Sequence, residues 1–101
     1  MIRSALLVAT ALWTALPALA SPELARSRIC MGCHAVERKL VGPSFKDIAA
    51  RYASQPDAVA RMADKIVKGG SGAWGPVPMP ANPKVTADEA RQLAAWVMSL
   101  K

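Results

Sequence analysis

The chain has 101 residues, with two cysteines, one histidine, eight prolines and a formal net charge of +6. This length accommodates one small domain, and two cysteines are too few for a disulfide-rich scaffold. Hydrophobic residues make up 52% of the chain, and most of the apolar excess lies at the amino terminus.

A basic start, an uncharged apolar run and an A-x-A ending follow one another at the amino terminus. The basic start is Met1–Arg3, the apolar run is Ala5–Leu16, and the ending is Ala18–Ala20. This order is typical of a cleaved secretory signal peptide. The apolar run is shorter than the stretch of about 20 residues that spans a bilayer, so an uncleaved anchor is the weaker alternative.

We therefore predict that residues 1–20 are removed and that residues 21–101 form a single exported domain in the periplasm, without a membrane span. Removal takes Arg3 and no acidic residue, so the remaining 81 residues carry a charge of +5. A chain this short rarely builds a sufficient hydrophobic core by itself, and it usually needs a cofactor, a metal or a disulfide.

The first predicted helix runs from Glu23 to Cys30 and leads into Cys30-Met31-Gly32-Cys33-His34, which holds both cysteines and the only histidine. C-x-x-C-H is the attachment motif of a c-type haem. Two thiols at this spacing can each bond one vinyl group of a porphyrin, and the adjacent histidine can supply an imidazole nitrogen to the iron. The motif predicts one covalently bound haem c, held by Cys30 and Cys33, with His34 as an iron ligand.

Three other kinds of site also use two nearby cysteines, and each fits the sequence less well than a haem site. A thioredoxin-like dithiol needs a βαβ surround, whereas the downstream pattern is helical. A structural zinc site needs four ligands, and the chain offers two cysteines and one histidine. A simple disulfide would leave His34 without a role.

Two helices are predicted after the motif. The first is Phe45 to Tyr52, with Ser44 as its N-cap. The second opens at Pro56, presents an apolar face that includes Met62 and Ile66, and stops at Gly69-Gly70. The segment Gly69-Gly70-Ser71-Gly72 is predicted to be a flexible link to the proline-rich segment that follows.

A proline-rich segment at Gly75–Pro83 is predicted to be a stiff, extended strap, because its prolines exclude helix and central strand. Met79 lies in this strap and is predicted to be the second iron ligand. Packing under a loop is the alternative for its side chain. The other methionines lie in the signal segment, in the attachment motif or on apolar helix faces: Met1, Met31, Met62 and Met98. A capping box of Thr86 and Glu89 then predicts a last helix, whose inward face includes Leu93, Trp96 and Val97.

These motifs together resemble the small bacterial class I cytochromes c of the c-551 (c8) type. The resemblance rests on four segments: Cys30–His34, Val41–Ala49, Trp74–Pro80 and Ala94–Val97. It implies an all-α fold with three to four short helices wrapped around one covalently attached haem. It also implies that the Pro43 carbonyl accepts a hydrogen bond from the His34 ring, that Trp74 bonds a haem propionate, and that Asn82 lies near the ligating sulfur.

Occupation of both axial positions leaves no open iron site, which predicts a periplasmic electron carrier and not an enzyme. The carrier would cycle Fe(II)/Fe(III) between a membrane or soluble donor and a terminal reductase or oxidase. A small haem sensor or peroxidase with an open sixth position is the alternative. The expected partners are redox proteins, with Lys39, Lys46 and Lys84 as candidates for steering an acidic docking surface. We expect a monomer and no nucleic-acid partner, since an exported chain lacking a basic helix with interleaved aromatics does not fit that class.

Overall fold

A computed structural model describes residues 21–101, which comprise four α-helices, one 3₁₀ turn and one β-hairpin. The helices are α1 (Ser21–Ser27), α2 (Phe45–Tyr52), α3 (Ala58–Lys68) and α4 (Ala87–Ser99), and the 3₁₀ turn is Cys30–Gly32. Strands β1 (Gly70–Gly72) and β2 (Gly75–Met79) pair antiparallel between α3 and α4. The predicted signal segment, residues 1–20, lies outside the described residues.

Two helix starts follow the capping signals of the sequence. The Ser44 hydroxyl accepts a hydrogen bond from the Asp47 amide at 3.0 Å, so α2 begins at Phe45 as predicted. At the start of α4, the Thr86 hydroxyl accepts from the Glu89 amide, and the Glu89 carboxylate accepts from the Thr86 amide.

The first and third helices differ from their predicted bounds. Helix α1 ends at Ser27 and not at Cys30, because Ile29 adopts a left-handed conformation with φ of 64°. Helix α3 begins at Ala58, two residues after Pro56, and its N-cap Asp57 makes no side-chain capping hydrogen bond. It ends before Gly69, as predicted.

The segment predicted to be a flexible link and an extended strap forms a hairpin. Gly70 pairs with Met79 and Gly72 pairs with Gly75. Both members of a two-stranded sheet are edge strands, where prolines are tolerated because one row of backbone groups needs no partner. The prediction of an extended proline segment is thus correct, whereas most of the link predicted at Gly69–Gly72 forms strand β1.

Helix α4 packs against the other three helices, and the core lies along its inner face. Leu93, Ala94 and Ala90 of α4 meet Leu24 and Ala25 of α1 in one buried cluster. On the α2 side, the rings of Phe45 and Trp96 meet edge to face at 5.3 Å. Residues of the attachment motif and of the hairpin line one large cavity.

Candidate functional site

The attachment motif is a tight turn that brings two thiols to one cavity. The amides of Cys33 and His34 both donate to the Cys30 carbonyl, at 3.2 and 3.0 Å. Cys30 is half-buried and Cys33 is exposed. Burial raises the pKa of the Cys30 thiol. Both side chains line the cavity.

His34 is held in one orientation and one tautomer. Its Nδ1 lies 2.7 Å from the Pro43 carbonyl oxygen. Because a carbonyl only accepts, Nδ1 carries the proton and Nε2 keeps the lone pair that a metal requires. The imidazole is buried and stacks on Phe45 at 5.2 Å between ring centroids. The hydrogen bond that the resemblance implied between His34 and Pro43 is present.

Gly42 is a site residue that the sequence analysis did not identify. A Cβ atom at this position would lie 2.5 Å from His34 Cε1 and 2.9 Å from Nδ1. The imidazole therefore occupies space that only glycine leaves open. The sequence does carry a signal for this contact, because Gly42 directly precedes Pro43, whose carbonyl bonds the histidine ring.

Met79, the last residue of β2, also lines the cavity. Its segment is fixed to the end of α3 by Asn82, whose side-chain amide donates to the Ile66 carbonyl at 2.8 Å and whose backbone amide donates to Val67 at 3.1 Å. Gly69 makes this close approach possible, since a Cβ there would overlap the Met79 carbonyl. Sequence analysis identified Gly69 only as a helix stop.

Asn82 and Trp74, both predicted to be site residues, differ in what their side chains contact. The Asn82 amide bonds the backbone of α3, and its predicted proximity to the Met79 sulfur stays a prediction. Trp74 lies in the hairpin turn, is 42% exposed and lines the cavity. None of the side-chain hydrogen bonds within residues 21–101 uses its indole N–H, so this donor is available to a bound group.

The cavity is about 680 Å³ and is lined by residues from α2, α3, α4, the hairpin and the attachment motif. Among its lining residues are all four members of the predicted donor set: Cys30, Cys33, His34 and Met79. Such a volume lies within the usual range for small-molecule and cofactor sites. Two thiols, one imidazole nitrogen and one thioether around one cavity fit a covalently attached haem with two protein ligands to its iron.

Two other kinds of site find no support in the part of the chain that the structure describes. No group of three or more histidine, cysteine, aspartate or glutamate side chains there could hold a metal ion. None of the helices within residues 21–101 is both long and apolar enough to cross a membrane.

Comparison with known proteins places the chain in one family. Residues 21–101 match the family model described as Cytochrome c. The chain is 48% identical over 93 residues to cytochrome c-552 of Nitrosomonas europaea, covering 92% of this chain and 90% of that protein. It is 51% identical over 82 residues to cytochrome c-552 of Hydrogenobacter thermophilus, covering 81% of this chain and 83% of that protein.

A solved structure shows the same fold. The crystal structure of wild-type Nitrosomonas europaea cytochrome c552 superposes with a TM-score of 0.78 at 49% identity, covering 79% of this chain and 99% of that one. The chain therefore belongs to the cytochrome c family, as a small class I cytochrome of the c-551 type with a covalently bound c-type haem.

Proposed function

We propose that the protein is a periplasmic single-haem electron carrier in which His34 and Met79 bind the iron from opposite sides. The observation that carries this proposal is that both residues line one cavity together with both thiols of the attachment motif. When bound, the haem supplies a one-electron iron couple. The chain supplies two covalent anchors at Cys30 and Cys33, an oriented imidazole and a thioether.

The environment of each ligand supports this assignment. The Pro43 carbonyl leaves only Nε2 of His34 for the metal, and Phe45 and Gly42 fix the plane of its ring. Met79 is half-buried at the end of a strand, and Asn82 ties its segment to α3. Two fixed ligands leave no iron position for a substrate, which favours electron transfer over turnover, and methionine–histidine ligation raises the reduction potential.

The competing methionine is Met62, which also lines the cavity but packs against the core cluster. We therefore expect Met79→Ala to abolish the weak long-wavelength methionine–iron band of the oxidised protein, while Met62→Ala keeps it. A Met79→Ala protein that retains the band would overturn the assignment.

An open sixth position would indicate a sensor or a peroxidase. The reduced wild-type protein should not bind carbon monoxide at neutral pH, whereas the reduced Met79→Ala variant should bind it. Ready binding of carbon monoxide by the wild-type protein would contradict the electron-carrier proposal.

Export, partner chemistry and oligomeric state complete the proposal. Cleavage after Ala20 would release residues 21–101 to the periplasm as a monomer, and mass spectrometry of the purified protein tests the cleavage.

The partner proposed is a redox protein with an acidic docking surface. Lys39 lines the cavity, and Lys84 lines a second pocket that shares Cys30 and Met79 with it, which supports a role in steering such a partner. Lys46 is a weaker candidate, because its ammonium group pairs with Glu37 at 2.9 Å.

A further inference from the structure

The guanidinium group of Arg51, in the last turn of α2, lies over the face of the Trp74 indole. Its Cζ is 4.4 Å from the Trp74 ring centroid and 5.8 Å from the centroid of Tyr52. Its Nη1 donates to the Ala73 carbonyl at 2.6 Å. No carboxylate within residues 21–101 pairs with Arg51. Arg51 therefore directs its charge and a hydrogen bond to the hairpin turn.

The hairpin turn has little packing of its own. Gly72 and Gly75 flank Ala73 and Trp74 with φ of 98° and 111°, and a Cβ at either glycine would meet nothing within 4 Å. Trp74 meets the Tyr52 ring only edge to face, at 6.4 Å between centroids. The contacts of Arg51 are thus the main constraint on where the indole lies along the cavity wall.

A cation over an aromatic face acts on the ring as well as holding it. The contact contributes about 0.5–1 kcal/mol at exposed sites. It also draws electron density from the ring, which makes the indole N–H a stronger donor, and donors bond most strongly to charged acceptors such as carboxylates. No side-chain hydrogen bond within the described chain uses the Trp74 N–H.

We propose that Arg51 is a positioning residue, which fixes Trp74 on the cavity wall and strengthens its indole N–H as a donor to a carboxylate of the bound haem. This inference rests on the proposed haem site. It assigns Arg51 an action through Trp74 and not by direct contact with the haem.

The test uses the haem-loaded protein, four single variants and the double variant Arg51→Gln/Trp74→Phe. Arg51→Gln keeps a donor for the Ala73 carbonyl and removes the charge, whereas Arg51→Lys keeps the charge and loses the planar group. Arg91→Gln is the control, because it removes one arginine charge from α4, where Arg91 pairs with Asp88. Trp74→Phe removes the donor itself.

The first measurement is hydrogen exchange of the Trp74 indole N–H by NMR, with the Trp96 indole as internal reference. Loss of a cation–π contact predicts exchange about two- to fivefold faster in Arg51→Gln. Exchange should be closer to wild type in Arg51→Lys and unchanged in Arg91→Gln. Unchanged exchange in Arg51→Gln would overturn the proposal.

The second measurement is the equilibrium between oxidised and reduced protein against a fixed redox couple. Weaker bonding of the carboxylate leaves more negative charge near the iron, so Arg51→Gln should shift the equilibrium toward the oxidised form. In the Trp74→Phe background the same substitution should have little further effect. An equal shift in both backgrounds would show that Arg51 acts directly and would refute the role assigned to Trp74.

Failure of the proposed function and failure of the role assigned to Arg51 give different experimental results. A wild-type protein lacking the methionine–iron band would contradict ligation by Met79. The exchange comparison between Arg51→Gln and Arg91→Gln would still decide whether Arg51 positions the indole.

Discussion

At the residue scale, the orientation of the His34 imidazole depends on a glycine that touches its ring. Alanine at position 42 would place a Cβ 2.5 Å from His34 Cε1, so the ring must tilt and strain its 2.7 Å contact with Pro43. Overpacking of this kind costs about 1–3 kcal/mol. We expect Gly42→Ala to lower the free energy of unfolding by that amount in denaturant titrations of the haem-loaded protein.

Gly32 provides the matched control for this substitution. A Cβ there would meet only Ile29 Cγ2, at an ordinary 3.5 Å. Gly32→Ala should therefore leave stability nearly unchanged. Equal losses in the two variants would mean that the His34 contact is not the reason for glycine at position 42.

Ile29 is the one non-glycine residue with positive φ within residues 21–101, at 64°, and its side chain is 79% exposed. A left-handed conformation costs an L-residue about 1–2 kcal/mol, and glycine avoids this cost but adds about 0.5–1 kcal/mol of backbone entropy. Ile29→Gly should thus raise the free energy of unfolding by roughly 0.5–1 kcal/mol. The measurement is thermal or denaturant unfolding beside Ile29→Ala, which keeps a Cβ. A glycine variant no more stable than the alanine variant would contradict the expectation.

At the element scale, the sequence predicted those features whose cause is local. The Ser44 cap determined the start of α2, the Thr86 and Glu89 capping box determined that of α4, and the attachment motif places three site residues within five positions. Other features depend on contacts between distant segments. Pairing of Gly70 with Met79 and the close approach of Gly42 to His34 exist only once the chain has folded.

An ion pair between the residue that follows α1 and the first turn of α4 should make stability depend on pH. Arg28 donates to both carboxylate oxygens of Glu89, at 3.3 and 2.7 Å. The hydrogen bond from Arg28, together with the Thr86 amide, lowers the pKa of Glu89 below its ordinary value of 4.5. Because the folded-state pKa is the lower one, this stabilisation is present at neutral pH and is lost as pH falls through the folded-state value.

Glu89→Gln keeps the capping acceptor and removes the charge. We expect the variant to be less stable than wild type at pH 7, with a difference that shrinks progressively below pH 4.5. Asp88→Asn is the control, since its pair with Arg91 lies on an exposed surface, where ion pairs contribute little. Denaturant unfolding at several pH values measures both, and a pH-independent Glu89→Gln difference would contradict the role of the charge.

At the scale of the whole molecule, the haem cavity takes the place of much of a core. Six of the eleven buried hydrophobic residues within residues 21–101 are alanines, which bury little apolar surface. The apolar walls of the cavity can therefore be covered only by a bound group. We expect a Cys30→Ala/Cys33→Ala protein without haem to lose most of its helical circular dichroism, and a cooperatively folded apoprotein would contradict this.

The distribution of charge over the molecule predicts how it meets its partner. The charged residues that line the cavity and the second pocket beside it are five cations and one acid: Arg28, Lys39, Arg61, Lys65, Lys84 and Asp47. Of these, only Arg28 is neutralised by an ion pair within the described chain. A field of one sign near the site where electrons enter and leave steers an oppositely charged protein, and salt screens it.

Electron transfer to an acidic redox protein should accordingly slow by about tenfold between 0.01 and 0.15 M ionic strength, whereas transfer to a basic one should not slow. Lys84→Glu should reduce the low-salt rate of electron transfer by more than Lys101→Glu, although both change the net charge equally. The reason is that Lys84 lines the second pocket and Lys101 lines neither pocket. Stopped-flow kinetics at several salt concentrations measures these rates. Equal effects of the two substitutions would indicate that the net charge, and not its placement beside the site, governs the encounter.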